Sequence, residues 1–96
     1  GATTGNLSTE AAAVAASGND YFADWFVKYV TTTVPQSAAA EADFRLIVDA
    51  LTKWCVAHFS EEERGALANR LSSAATGATS SVGRELAAAA AGSIAP

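Results

Sequence analysis

Between Tyr21 and Phe59 the large apolar side chains return every three or four positions, and that stretch holds every aromatic of the chain, two Trp, two Tyr and four Phe. Steps of three and four place side chains on one face of an α-helix, whereas a half-buried strand needs strict alternation. No segment alternates over a useful length. The spacing therefore predicts an all-α fold, a compact bundle of about five helices.

The segments are separated by recognisable punctuation. After a flexible tail at 1–7, a first helix is expected from about Ser8 to Ser17, ended by Gly18. A second runs from about Asn19 to Thr32, with Asn19 or Asp20 as its cap and Phe22, Trp25, Phe26, Tyr29 and Val30 as its stripe. The β-branched run Thr31–Val34, followed by Pro35, ends it. A third runs from about Ser37 to His58, carrying Phe44, Ile47, Val48, Leu51, Trp54 and Cys55. Leu46, Ala50 and Ala57 widen its apolar face, which implies two neighbours and makes it the expected central helix. A fourth starts at Ser60, where Ser60-Glu61-Glu62-Glu63 reads as a capping box, and Gly77 stops it. A fifth spans about Ser81 to Ala91, closed by Gly92, with an alanine run that frays.

Ninety-six residues fit one domain, placed here at 8–96. Half the chain is hydrophobic, but much of that is alanine, which favours helix and buries little area. The second and third segments are thus expected to hold the bulky core, and the others to supply small-residue faces.

Ten acidic against six basic residues leave a net charge of −4, and the basic residues are scattered. A phosphate backbone calls for a clustered basic face, so nucleic acid is not an expected partner. No apolar run reaches the ~20 residues of a membrane span. Glycine-rich phosphate loops, paired metal ligands and a nucleophile elbow are all missing from the sequence, so no metal and no cofactor is expected.

A few residues remain as candidates for chemistry. His58, the single histidine, titrates near neutrality in its free form and shares a corner with Glu61 and Glu63. That corner is a candidate pH switch over roughly pH 5–7, although a histidine at a helix C-terminus also serves simply as a cap. Cys55 is a candidate intermolecular thiol or nucleophile, or else a core filler beside Leu51 and Trp54. Phe22, Trp25, Phe26, Tyr29, Leu51 and Trp54 are candidates for lining an apolar-ligand pocket between the second and third segments.

In size, in alanine and serine content and in its single cysteine, the chain resembles the terminal assembly domains of silk-like structural proteins. The likeness is one of composition and size, and it implies self-assembly. The expected function is a non-enzymatic interaction or self-assembly module, with a protein partner or a second copy supplying burial that a small chain lacks. A small-apolar-ligand carrier is the alternative, and an enzyme using Cys55 or His58 ranks behind both.

Overall fold

A computed structural model describes residues 19–96, and these form four helices: α1 (Asn19–Thr32), α2 (Ala38–His58), α3 (Glu61–Ala75) and α4 (Ser81–Ile94). The all-α class is as expected, and the described residues contain no strand. The expected tail and first helix lie outside the described residues, so the described count is four rather than about five.

Local chemistry sets most helix ends. Ser37 is extended, and its side chain accepts the Ala40 amide at 3.0 Å, capping α2. The capping box at α3 is complete: Ser60 Oγ accepts the Glu63 amide at 3.2 Å, and Glu63 Oε1 accepts the Ser60 amide at 2.9 Å. The hydroxyls of Thr31, Thr32 and Thr33 donate to the carbonyls of Val27, Lys28 and Tyr29 at 2.6–2.7 Å. These are second bonds to carbonyls of the helical ladder itself, the local back-bonding that threonine offers, and the Thr33 amide also donates to the Tyr29 carbonyl at 3.2 Å.

Three boundaries differ from expectation. Asn19 and Asp20 lie inside α1 rather than capping it, and the Asn19 side-chain Nδ2 donates to Glu63 Oε2 at 2.7 Å instead. Gly77 has no left-handed φ; the chain leaves α3 through a tight turn in which Gly77 and Ala78 donate to Ala74 and Ala75. Gly92 does not close α4, which continues to Ile94. Ile94 is wholly buried, and Arg64 of α3 donates to the Ile94 carbonyl at 3.0 Å, supplying a cap from outside the helix.

The centre of the bundle is α4, not α2: it alone packs closely against each of the other three helices. Its small residues permit this. Ala87, Ala90 and Ala91 are buried, and a methyl group on Gly83 would stand 2.6 Å from the Val30 carbonyl oxygen of α1. Two bonds stitch the entry of α4 to the exit of α1. The Thr79 amide donates to the Thr31 carbonyl at 2.7 Å, and the Ser80 hydroxyl donates to the Thr33 carbonyl at 3.1 Å. Ser80 also caps α4 by accepting the Gly83 amide at 3.0 Å.

The core is accordingly shared by all four helices rather than held by α1 and α2. Its largest wholly buried side chains are Phe26, Leu67, Leu71, Ile94, Val30 and Cys55. Polar ties fix the orientation of the helices around it. Arg70 of α3 bonds Asp24 of α1 at 3.1 Å, and Arg45 of α2 bonds Glu85 of α4 at 2.7 Å.

Candidate functional site

The helix α2 is apolar on two sides. Its inner side places Phe44, Val48, Thr52 and Cys55 in the core. The Thr52 hydroxyl is satisfied by the Val48 carbonyl at 2.7 Å. Its outer side carries Leu46, Ile47 and Trp54, which are 69%, 45% and 41% exposed. Ala50 and Ala57 lie exposed beside them. These five positions repeat at intervals of three and four, so they form a second stripe on the same helix. Among the described residues no element covers it.

Rings extend this stripe onto α1. Trp54 packs on Phe22 with centroids 4.9 Å apart, and Phe22 lies 5.9 Å from Trp25. Trp25 in turn stacks on Tyr29 at 5.3 Å and 7°. On its other side Trp54 stacks on His58 at 4.5 Å and meets Phe59 edge-on. Such contacts hold each ring in one orientation while leaving part of Trp25 and Trp54 in solvent. Charged residues edge the stripe: Asp43 is exposed, and Asp49 pairs with Lys53 at 2.9 Å.

The six residues expected around a ligand pocket are thus brought together. Phe26 is wholly buried, Phe22, Tyr29 and Leu51 are half-buried, and the two tryptophans are partly exposed. Burial pushes the Tyr29 hydroxyl above its usual pKa. Two clefts among the described residues lie elsewhere. One of about 250 Å³ opens between α1 and α3, lined by Asn19, Ala23, Phe59, Glu63, Leu67 and Arg70. A smaller one of about 90 Å³ lies between α2 and α4, near Val48, Thr52, Leu86 and Ala90.

Cys55 is wholly buried, and burial pushes its thiol up to about 11. In the folded protein it is a protonated side chain enclosed in the core. His58 is exposed, and its Nδ1 lies 2.9 Å from the Trp54 carbonyl oxygen. A carbonyl only accepts, so in this contact Nδ1 is the donor. The contact suits a helix C-terminal cap. Glu63 is held below the usual carboxylate range by the Ser60 amide and then by Asn19, so it stays ionised over pH 5–7. Glu61 is exposed in the first turn of α3, where its charge suits the helix dipole.

Among the described residues no three His, Cys, Asp or Glu side chains gather as a metal site would need, and no helix is long and apolar enough to cross a membrane. The residues that sequence reasoning assigned to the wrong role are Leu46, Ile47, Ala50 and Ala57, taken as core. Their signal was legible: Leu46, Ala50 and Ala57 form a stripe turned away from Phe44, Val48 and Cys55 on the same helix, with Ile47 on its flank. No protein-family model, curated protein or solved structure matches the chain, so its function is read from this geometry.

Proposed function

We propose that this chain is a non-enzymatic helical self-assembly module and that the outer face of α2 is its contact surface. The observation that carries the reading is the second apolar stripe of α2, Leu46, Ile47, Ala50, Trp54 and Ala57, left in solvent while α4 occupies the centre of the bundle. Contiguous exposed apolar surface of this kind marks contact sites on small soluble domains. Its composition also suits association. Tryptophan is enriched among the residues that dominate binding energy, and small residues beside it admit a neighbouring helix at close range. Trp54 is already held by Phe22, His58 and Phe59, so little side-chain freedom is left to lose on binding. Fully burying a side chain such as Leu46 or Ile47 is worth about 1.5–3 kcal/mol, and the part now exposed sets how much of that remains to be gained.

Light scattering after size exclusion, run over a range of concentrations with reductant, tests the reading. The parent should show a mass above the 9.7 kDa of one chain. The double variant Leu46→Glu with Ile47→Glu should return to a single chain with unchanged helical circular dichroism. Association that survives the double variant, or a parent that stays a single chain throughout, overturns the reading.

A further inference from the structure

The outer face of α2 reads nearly the same from either end. Ile47 and Trp54 lie symmetrically about the Ala50–Leu51 peptide, and Asp49 and Lys53 lie symmetrically about Leu51, within one residue of the same centre. Asp49 and Lys53 also share one flank of the stripe, where they pair with each other at 2.9 Å as an i,i+4 couple. Both are well exposed, so either can turn toward a second chain. Two antiparallel helices related by a two-fold axis bring like flanks together, with each residue facing its mirror position.

Resting on the self-assembly reading, we propose that the occupant of this face is a second copy of the chain, with the two α2 helices antiparallel and crossing at Ala50. In that arrangement Asp49 faces Lys53 of the partner subunit, and Lys53 faces the partner's Asp49. Ile47 packs on the partner's Trp54 on the opposite flank. Ala50 at the crossing lets the two backbones approach closely. Such an interface is the same patch on both chains, so it closes at two and leaves no free end from which a filament could grow. A parallel pair fits worse, because it brings unlike flanks together and would set the charged Asp49–Lys53 flank against the partner's apolar Ile47–Trp54 flank.

Charge reversal tests this on the full chain. Lys53→Glu alone and Asp49→Lys alone each set like charges across the axis twice, and each should weaken the homodimer at least about tenfold. A one-to-one mixture of the two variants restores opposite charges at both contacts. It should form a heterodimer with an affinity within about twofold of the parent. Loss of the intrahelical pair cannot produce that rescue, because each variant still lacks that pair in the mixture. Analytical ultracentrifugation of parent, variants and mixture reads all of this, with circular dichroism confirming the folds.

Single variants that dimerise as the parent does would overturn the antiparallel arrangement, as would a mixture that stays monomeric. If the single variants behave so while Leu46→Glu with Ile47→Glu still dissociates the parent, only the orientation falls and the contact face stands. If that double variant has no effect, the face itself is wrong. A parent that is monomeric throughout overturns both.

Discussion

The two tryptophans and the alanines of α4 have exchanged the places that their sizes would suggest. The α1–α2 side of the molecule holds every aromatic, yet Trp25 and Trp54 are 45% and 41% exposed. On the α4 side Ala87 is wholly buried, and Gly83 touches the backbone of α1. Large rings span a gap between helices, so α1 and α2 meet through side chains and stay apart as backbones. Small residues remove the gap, so α4 reaches three neighbours at once. What decides centrality here is how closely a helix can approach its neighbours, not how much apolar volume it carries.

The largest expected effect compares the two sides directly. Leu71→Ala removes a wholly buried side chain and should cost about 2–5 kcal/mol, whereas Trp25→Ala, although a larger truncation, should cost about 1 kcal/mol. Urea denaturation of both variants measures this, and equal losses would break the contrast. Next comes Gly83→Ala. Its methyl group would clash with the Val30 carbonyl, so despite better helix propensity it should cost on the order of 1–3 kcal/mol. Gly92→Ala in the same helix should have the opposite sign. Nothing lies within 4 Å of a methyl group there, and stability should rise by roughly 0.5–1 kcal/mol. A pair of thermal melts separates these two glycines.

The smallest effect is with acid. Glu63 is lowered by the Ser60 amide and Asn19, and Glu85 by the Arg45 bond and charge. A carboxylate lowered on folding stabilises the fold above its unfolded pKa, and that contribution is lost as pH falls through the folded value. The urea midpoint should therefore decline modestly between about pH 5 and pH 3, with no step attributable to these groups near neutrality. Removing both, as Glu63→Gln with Glu85→Gln, should flatten that decline.

Much of this architecture could be read from the residues alone, and the limit of that reading has a physical cause. The extents of α1 and α2 follow from periodicity, the Ser37 cap and the threonine run before Pro35. The Ser60 capping box is wholly local, and it formed as its spelling implies. Position in the bundle is not local. A run of alanines declares helix and a small-residue face, here expected at Val82, Leu86, Ala89 and Ala90, but not that this face would meet three neighbours and form the centre of the bundle. Nor could the sequence announce that Arg64 caps α4 or that Asn19 reaches Glu63, since those partners are distant in the chain. The α2 face was half legible. The need for two neighbours was written in Leu46, Ala50 and Ala57, and only the structure shows that one of the two is missing among the described residues.

The position of α4 in the chain also matters for how the fold is first made. Among the described elements, the helix that holds the others together is the last to be synthesised. Until Ser81–Ile94 emerges, Leu67, Leu71 and Phe26 lack the neighbour that shields them from water. At ordinary translation rates those 14 residues take about one to three seconds to add. The apolar faces of the earlier helices therefore complete their burial only when this last described helix docks.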